Sequence, residues 1–395
     1  MSRIVVTGMG IISAIGNNVA ENRDSLLKGI TGISCLGAFP SKYAGILPCG
    51  EIKETTACLQ ERANTTDRGL TRTTLMAALA FKEAVSDAGL SAEELGSTQT
   101  ALIGATTVGG MCLTDELYKD AHEPTRGSVY LSTYDCGAAA IYLQEKYKLS
   151  GIISTINTAC SSSANAILFG ARLLQSGKAN IAIVGGVDSL SKFTLNGFNA
   201  LHILSKEICK PFDRDRSGLN LGEGAAFLVL EKAPDHAGKK VYATLNGYGN
   251  SNDAYHPSSL SENGEGPYLS MLQALSRAGL TAGDINFVNA HGTGTENNDF
   301  SESKAMIRLF DQVPAFCSTK GYTGHTLGAA GALEAVYGAL SLFHQEAYPN
   351  LHFQMPMVDT GLKPLTSYQK MPIGHLMSNS FGFGGNCTSL VFSKA

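Results

Sequence analysis

Residues 157–164 read Asn-Thr-Ala-Cys-Ser-Ser-Ser-Ala and join a predicted strand, Ile152–Asn157, to a predicted helix, Ser162–Ser176. Continuous apolar and β-branched residues predict the strand, and apolar residues at helical spacing predict the helix. The serine hydroxyls suit the free amides at a helix start. Cys160 would then lie at the positive end of the helix dipole, which lowers the pKa of a thiol and favours a nucleophilic thiolate. A small buried hydrophobe is the alternative interpretation of Cys160.

The alternation of strand and helix continues along all 395 residues. Short, continuously apolar runs predict buried strands, and this order is typical of an α/β fold in which helices cover central sheets. The other predicted helices are Thr71–Ala88, Tyr268–Ala278, Phe300–Phe310 and Gly328–Phe343. The other predicted strands are Arg3–Gly8, Thr100–Ala105, Ile181–Gly185, Ala225–Glu231, Val241–Tyr248, Phe287–Ala290, Ala315–Ser318 and Ser389–Phe392.

An internal repeat predicts two related halves. Gly222–Ala233 aligns with Gly384–Ala395, with Gly, Leu, Val, Lys and Ala at matching positions. Each half also has a strand that runs into a tight turn and a helix rich in small residues, at Cys160 and at Lys320. The predicted halves are residues 1–236 and 237–395, with the boundary near Pro234–Gly238.

The composition excludes several classes of protein. Hydrophobic residues make up 44% and charged residues 16%, which argues against a disordered chain, and a formal net charge of -4 gives no reason to expect binding to nucleic acid or an anionic membrane. The N-terminal apolar run is broken by glycines and lacks a basic leader, so we expect neither a signal peptide nor a membrane span. Nine cysteines without metal-ligand spacing predict reduced thiols in the cytoplasm.

Two further segments carry candidate catalytic groups. His291 lies in Ala290-His-Gly-Thr-Gly-Thr295 after a predicted strand, where chemistry is often placed, although a loop histidine can also merely satisfy a turn. Lys320 and His325 precede a helix rich in Gly and Ala, a setting that a lysine rarely enters without a partner. Glu334 on that helix is a plausible counter-charge, or else a solvated acid.

Two glycine-containing segments carry less information. Residues 379–386, Asn-Ser-Phe-Gly-Phe-Gly-Gly-Asn, could present a backbone amide as an oxyanion donor or be only a tight turn. Residues 7–13 have Ser13 where a dinucleotide fingerprint requires its third glycine, which argues against a NAD site. A Cys–His hydrolase is conceivable, but it would not need the second histidine beside a buried lysine.

Together and in this order, the motifs resemble the elongating β-ketoacyl-acyl-carrier-protein synthases of dissociated, bacterial-type systems. The resemblance covers essentially the whole chain and implies a thiolase-like fold, with two similar halves in a five-layered αβαβα arrangement. The segments that carry it are Val6–Ser13, Asn157–Ser163, Pro211–Gly218, Gly222–Ala225, His291–Thr295, the Lys320/His325 stretch and Asn379–Gly385.

The resemblance also implies a reaction, the decarboxylative Claisen condensation that gives 3-oxoacyl-acyl-carrier protein. Cys160 matches the nucleophile that is acylated, and His291 and His325 match the donors that stabilise the enolate left when a malonyl thioester loses CO2. Lys320 matches the lysine that holds the histidines, with Glu334 as its partner. The implied reaction needs no metal at the catalytic centre and no cofactor beyond the carrier's phosphopantetheine.

Other positions match the family's supporting residues. Phe383 and Phe381 match the aromatic turn that gates the acyl pocket, and the amides of Cys160 and Phe383 match a second oxyanion site. Thr293 and Thr295 match positions that bind phosphopantetheine. Asp299 resembles a structural acid, at which a structural monovalent cation is conceivable.

The resemblance implies an acidic acyl-carrier protein as partner, and a homodimer or a heterodimer with a related ketosynthase-like subunit. Each arginine of a candidate docking patch could equally belong to a solvated face or an internal salt bridge. The candidates for that patch are Arg62, Arg68, Arg72, Arg214 and Arg216.

The chain departs from the family pattern at several places. Gly385 is followed by Asn386 and Cys387, where the family usually reads Gly-Gly-Thr-Asn or Gly-Gly-Asn-Asn, and neither Gly109–Leu113 nor Leu70–Thr74 matches the common fatty-acid form. The pathway therefore stays open between fatty-acid elongation and a specialised aryl-polyene, resorcinol-pigment or polyketide system.

Two other functions remain as alternatives. A non-catalytic, chain-length-determining partner of a heterodimeric ketosynthase usually lacks the nucleophilic cysteine, whereas Cys160 is present here. A thiolase would use a late cysteine as base, but Cys387 lies past the glycine turn, and paired histidines fit decarboxylative chemistry better.

Overall fold

The computed structural model describes residues 3–114, 130–233 and 238–395. The predicted boundary between the halves, near Pro234–Gly238, falls on residues 234–237, which lie outside this part of the chain. Ten strands form one sheet in the order β10-β9-β13-β14-β8-β1-β7-β6-β4-β5. The strands are β1 Ile4–Ser13, β2 Ile33–Cys35, β3 Pro48–Gly50, β4 Thr100–Ala105, β5 Ile153–Ile156, β6 Ile181–Asp188, β7 Gly224–Lys232, β8 Ala243–Asn252, β9 Phe287–Asn289, β10 Ala315–Cys317, β11 Glu346–Ala347, β12 Gln369–Lys370, β13 His375–Phe381 and β14 Asn386–Ser393.

The helices connect these strands and cover the sheet. Several begin with a side-chain cap, as at Thr71, whose hydroxyl accepts the amide hydrogen of Thr74. The helices are α1 Val19–Lys28, α2 Thr56–Arg62, α3 Arg72–Asp87, α4 Ala92–Gly96, α5 Ala138–Tyr147, α6 Ser162–Gln175, α7 Lys192–Ala200, α8 Glu265–Ala278, α9 Glu296–Leu309, α10 Lys320–Thr323 and α11 Ala330–His344. Among the described helices, none has both the length and the apolar character that a bilayer crossing needs.

The sheet consists of two halves with the same strand order. From the centre outward, one half runs β1-β7-β6-β4-β5 and the other β8-β14-β13-β9-β10. If the five sheet strands of each half are numbered in chain order, both halves have the spatial order 1-5-4-2-3. The two halves meet where Ile4–Val6 of β1 pair with Ala243–Leu245 of β8. The aligned repeat segments lie on β7 and β14, which hold equivalent places. The strand order therefore supports the internal repeat found in the sequence.

Five layers result from the positions of the helices. Helices α6 and α11 pack against each other and against strands of both halves, so they form the middle layer. Helix α3 covers the outer face of the first half, and α8 and α9 cover that of the second. The two central helices approach closely because Gly331 has no side chain, and a Cβ there would lie 2.8 Å from the amide nitrogen of Ala164. The first turns of both helices are thereby held beside each other in the core.

Candidate active site

Cys160 lies in a strained turn between β5 and α6. The preceding residue, Ala159, has a positive φ of 53°, which non-glycine residues rarely adopt. The Ala159 carbonyl accepts hydrogen bonds from the hydroxyls of Ser162 and Thr107, at 2.5 and 3.2 Å, and these contacts hold the turn. Cys160 is 5% exposed. The predicted strand–turn–helix setting is therefore present, with the thiol fixed at the start of a buried helix.

The serines after Cys160 do not cap their own helix as predicted. Ser161 holds the N-cap position of α6 but makes no capping bond, and its hydroxyl lies 2.8 Å from the Thr158 carbonyl and from Oδ1 of Asn386. Ser163 Oγ accepts the amide hydrogen of Ala332 at 2.8 Å, in the first turn of α11. These hydroxyls instead connect the nucleophile turn to elements of the second half.

The predicted lowering of the thiol pKa is also wrong. Burial raises the pKa of Cys160 to about 11, because a thiolate loses its hydration in this site. The Lys320 ammonium and a hydrogen bond from the Phe383 amide act in the opposite direction but do not outweigh burial. The resting thiol is therefore protonated at neutral pH.

Two histidines from the second half reach the thiol. His291 follows β9, and His325 lies between α10 and α11. Their ring centroids are 5.3 Å apart with planes at 83°, and both side chains are buried. One side-chain donor atom from each of Cys160, His291 and His325 lies within 4.8 Å of the other two. The structure thus brings together three groups that are separated widely in the sequence.

Lys320 fixes the tautomer of His291. Its ammonium has three hydrogens and three acceptors, namely Oε1 of Glu334 at 2.5 Å, the His291 carbonyl at 2.5 Å and Nδ1 of His291 at 3.3 Å. Because an ammonium can only donate, Nδ1 must accept, which leaves the hydrogen of the neutral ring on Nε2. Burial, Lys320 and His325 all hold the pKa of His291 well below its usual value. His291 therefore presents a neutral N–H donor.

The His325 ring lies edge-on to the ring of His291. Both ring nitrogens are buried without a hydrogen bond among the described residues, whereas its backbone is held by Asn220 and Gly222 at 2.8 and 2.9 Å. Burial and the Lys320 charge lower the pKa of this ring well below its usual value, so it is neutral. A buried, unpartnered donor is costly unless a ligand satisfies it, so the ring is ready for a substrate oxygen.

Glu302 supports the His291 turn and was not singled out in the sequence. Its carboxylate accepts the amide hydrogens of His291 and Gly292, both at 2.8 Å, and one from Nδ2 of Asn379 at 3.2 Å. Burial raises the pKa of Glu302 to about 7 against these hydrogen bonds. A sequence signal existed, because Glu302 and Asp299 are three residues apart and share one face of α9.

Asp299 anchors the other end of the same turn. It is fully buried, and it accepts amide hydrogens from Phe212 at 2.7 Å and from Gly294 at 3.2 Å. Its Oδ2 lies 3.8 Å from Nε of Arg216. These contacts make Asp299 a structural group that holds residues 291–295 against the neighbouring loop.

The glycine-rich turn lies directly against the nucleophile. The Phe383 ring stacks on Phe198 at 5.9 Å with an angle of 16°, and the Phe383 amide lowers the pKa of Cys160. The Phe381 ring contacts His291 at 5.8 Å. A Cβ on Gly382 would lie 2.7 Å from the Thr158 carbonyl oxygen and 3.2 Å from the Cys160 amide nitrogen, so only glycine allows this approach. The turn that carries Phe383 therefore packs against the backbone of the nucleophile turn.

A cavity of about 390 Å³ leads to the three reactive groups. The Thr293 and Thr295 hydroxyls lie 2.8 Å apart on its wall, at the positions predicted to bind phosphopantetheine. Both apolar and polar residues line it, which suits a long arm with amide groups. Its other lining residues include Phe198, His202, Ile203, Ser217, Ser258, Ser259, Leu260, Asn297, Phe381 and Phe383.

The five arginines predicted to form a docking patch differ in their surroundings. Arg72 is 11% exposed and pairs with Glu223 at 2.6 Å, and Arg216 is 9% exposed and donates to the carbonyls of Thr295 and Glu296. Both side chains therefore make internal contacts, and neither is free for docking. The three others are exposed: Arg62 pairs with Glu54, Arg214 pairs with Asp215, and Arg68 has no partner in the described part of the chain.

Within the described residues, Cys160, His291 and His325 are also the only three candidate ligands close enough to share a metal ion. The nearby Lys320 ammonium would repel a divalent cation, since it is coupled electrostatically to all three groups. The arrangement therefore fits thioester chemistry better than metal binding.

Comparisons with known proteins agree with this geometry. The family model for the N-terminal domain of β-ketoacyl synthases matches residues 1–236, and that for the C-terminal domain matches residues 242–354. The chain is 32% identical to 3-oxoacyl-[acyl-carrier-protein] synthase 2 of Staphylococcus aureus, over 99% of this chain and 98% of that protein.

Solved structures show the same fold. The ishigamide ketosynthase/chain length factor matches with a TM-score of 0.94 and 28% identity, over 100% of this chain and 99% of that one. A type II polyketide ketosynthase in complex with its acyl-carrier protein matches with a TM-score of 0.88 and 26% identity, over 100% of both chains. The thiolase-like α/β fold is thus confirmed, and the chain belongs to the β-ketoacyl synthase family of condensing enzymes.

Proposed function

We propose that this chain is a 3-oxoacyl-[acyl-carrier-protein] synthase that condenses an acyl group held on Cys160 with malonyl-acyl-carrier protein. One observation carries the proposal: the Cys160 sulfur and the two neutral imidazoles of His291 and His325 converge within 4.8 Å at the end of a cavity. A nucleophile beside two uncharged donors suits a reaction in which an enolate forms next to a thioester.

The first step transfers the acyl group to the enzyme. The Cys160 sulfur attacks the carbonyl carbon of the acyl thioester, the carbon–sulfur bond to the carrier breaks, and the carrier leaves as a thiol with the proton that Cys160 gives up. The tetrahedral oxyanion would be held by the amides of Cys160 and Phe383, both of which favour negative charge at the sulfur. The positive charge of Lys320 favours the developing thiolate.

The second step generates the carbon nucleophile. The bond between the malonyl carboxylate and its α-carbon breaks, CO2 leaves, and the electron pair passes to the thioester as an enolate. The Nε2–H of His291 and a ring N–H of His325 would donate to the enolate oxygen, since neither has a competing acceptor among the described residues.

The third step forms the new bond. The enolate carbon attacks the carbonyl carbon of the Cys160 thioester, and the same two backbone amides hold the oxyanion. The bond to the Cys160 sulfur then breaks, and the sulfur leaves as a thiolate that takes up a proton from water. The product leaves as a 3-oxoacyl group on the carrier. The Phe383 ring, stacked on Phe198, would have to turn aside for a long chain.

The proposal includes a carrier-protein partner and no further organic cofactor. The Thr293 and Thr295 hydroxyls on the cavity wall would bind the phosphopantetheine arm. Arg68 is the best docking candidate of the predicted arginines, because it is exposed and unpaired in the described structure. A monovalent cation near Asp299 stays a prediction. The nine free thiols fit the reducing cytoplasm.

We place a dimer contact on the free edge of β5, the last strand at one end of the sheet. Its four side chains are half-buried, and Tyr134, Ile141 and Ile152 nearby are 41%, 51% and 37% exposed. An apolar strand edge invites pairing with another chain. Light scattering on the purified chain should give a dimer. A monomer that forms a one-to-one complex with a related subunit would instead indicate a heterodimer.

Intact mass spectrometry tests the proposed function. The protein is incubated with a panel of acyl-carrier thioesters, and the mass of the acyl group should appear on wild type but not on Cys160→Ala. The accepted chain will distinguish fatty-acid elongation from a specialised pathway. Cys160→Gln, which resembles the acylated state, should decarboxylate malonyl-carrier protein, and adding His291→Ala should abolish this. Decarboxylation that is equally slow in both variants would refute the assigned roles.

A further inference from the structure

A cluster of amide and hydroxyl side chains lies behind Cys160, and its centre is Asn386. Oδ1 of Asn386 accepts hydrogen bonds from Oγ of Ser161 and Nδ2 of Asn165, both at 2.8 Å, and from Nδ2 of Asn250 at 3.0 Å. Thr388 closes the cluster by donating to Oδ1 of Asn165 at 2.9 Å. One carboxamide oxygen thus gathers donors from the nucleophile turn, from α6 and from β8.

The cluster holds the nucleophile turn from two sides. The second hydrogen on Nδ2 of Asn165 is donated to Oγ1 of Thr158 at 2.9 Å, two residues before Cys160. Ser161, one residue after Cys160, shares its hydroxyl hydrogen between the Thr158 carbonyl and Asn386. The backbone on both sides of the nucleophile is therefore tied to Asn386 through short hydrogen bonds.

Asn386 also closes the turn that carries Phe383. Its carbonyl accepts the amide hydrogen of Gly382 at 2.8 Å, so the main chain of this residue completes the loop around Phe383. The same loop touches the nucleophile turn, since a Cβ on Gly382 would lie 3.2 Å from the Cys160 amide nitrogen. Asn386 is thus hydrogen-bonded through its main chain to Gly382, the neighbour of Phe383, and through its side chain to Ser161, the neighbour of Cys160.

We propose that Asn386 is a positioning residue that fixes the spacing between the amides of Cys160 and Phe383, the pair assigned above to the thioester oxyanion. The inference rests on the proposed function. His291 is held separately, by Lys320 and Glu302, and neither of these hydrogen-bonds to the cluster. The backbone of His325 is held by Asn220 and Gly222, which also lie outside the cluster. Loss of Asn386 should therefore impair the steps at the Cys160 thioester and spare malonyl decarboxylation.

Asn386→Leu tests this separation, because leucine has a similar volume and no acceptor. We expect the rate of acylation of Cys160 to fall about 10- to 100-fold, somewhat less than when an oxyanion donor is removed outright. KM for the acyl carrier should change little, since the cavity wall is untouched. Asn386→Leu combined with Cys160→Gln should decarboxylate malonyl-carrier protein within about twofold of Cys160→Gln alone. Asn386→Asp, which keeps an acceptor oxygen, should recover most of the acylation rate.

Two further variants make the outcome decisive. Asn246→Leu removes an equivalent hydrogen bond between β8 and β14, from Nδ2 to Ser393 at 2.7 Å, far along the strands from the turn, and should leave both rates unchanged. If Asn386→Leu does not fold, Ser161→Ala, which removes the hydroxyl bonded to Oδ1 of Asn386, still reports the effect. Equal loss of acylation and decarboxylation, or no loss of either, would overturn the inference. Absence of acylation in wild type would instead refute the proposed function.

Discussion

Replacing Lys320 with methionine should separate its contribution to stability from its contribution to catalysis. Methionine has a similar volume, so the change mainly removes the three hydrogen bonds to Glu334 and to the carbonyl and Nδ1 of His291. Glu334 would then be left as a buried acid without its cation. Nδ1 of His291 would lose the donor that fixes the ring tautomer.

Both effects have a size that follows from these contacts. Breaking a buried ion pair by removing one partner costs about 3–5 kcal/mol in unfolding free energy. Loss of an oriented donor at a developing oxyanion reduces a rate about 10²- to 10³-fold. Adding Glu334→Leu removes the unpaired acid and should restore most of the stability, because apolar replacements of buried pairs are often neutral or stabilising. It should not restore decarboxylation.

Urea unfolding and malonyl-carrier decarboxylation, measured on Lys320→Met, Glu334→Leu and the double variant, check this reasoning. The decarboxylation assays use the Cys160→Gln background, so that acylation does not limit them. If the double variant regains decarboxylation together with stability, Lys320 serves only the fold, and the assignment of the His291 tautomer is wrong.

Three further predictions concern other groups. Arg68→Glu should weaken turnover with carrier-bound substrates and spare turnover of small thioesters. The control is Lys178→Glu, which reverses the charge of an exposed side chain after α6 and should change neither activity. Equal loss with both substrate types in Arg68→Glu would exclude docking at Arg68. Alkylation of Cys160 by iodoacetamide, followed by peptide mapping, should accelerate with pH up to about pH 10, because burial raises the thiol pKa to about 11, and a plateau near neutrality would contradict this. Glu302 has a folded pKa of about 7, above its unfolded value, so its contribution to stability is lost as pH rises toward 7. The unfolding free energy of wild type minus that of Glu302→Gln, measured in urea, should therefore fall by about 3 kcal/mol between pH 4.5 and 8. A difference that stays constant with pH would refute this.

Periodic and continuously apolar segments were predictable because their local pattern agrees with their packing. The helix predicted at Thr71–Ala88 is observed at Arg72–Asp87, and the one predicted at Gly328–Phe343 is observed at Ala330–His344. The predicted strand Thr100–Ala105 has the observed limits. In these elements one face, or both, lies in the core, so the spacing of the apolar residues in the sequence matches the residues that are buried.

Elements that depend on distant partners were harder to predict. The strand predicted at Arg3–Gly8 continues to Ser13, because Gly8 and Gly10 mark close contact with α3 and not the end of the strand. Strand β13 was missed, since its Ser and Asn residues have low β propensity. The side chain of its Asn379 hydrogen-bonds to Glu302, Ser389 and Met271, which lie on other elements.

The site residues also divide into those that a local motif identifies and those whose role depends on distant partners. The sequence motifs name Cys160, His291, Lys320 and His325, because each stands in a recognisable turn. The sequence could not show that Arg72 and Arg216 bind internal groups, since their partners Glu223 and Thr295 are far from them in the sequence. The thiol pKa was likewise out of reach, because it depends on how much water the fold removes.

The contacts between α6 and α11 come from equivalent positions of the two halves. Ser163 and Gly331 are the second residues of their helices, and Ala164 and Ala332 the third. The contact of Ser163 with the Ala332 amide and the close approach of Gly331 to the Ala164 amide are therefore equivalent contacts in which the two helices exchange places. Each half thus supplies the same helical turn to the centre of the molecule. The residues before that turn differ, with a nucleophile in one half and a lysine and a histidine in the other.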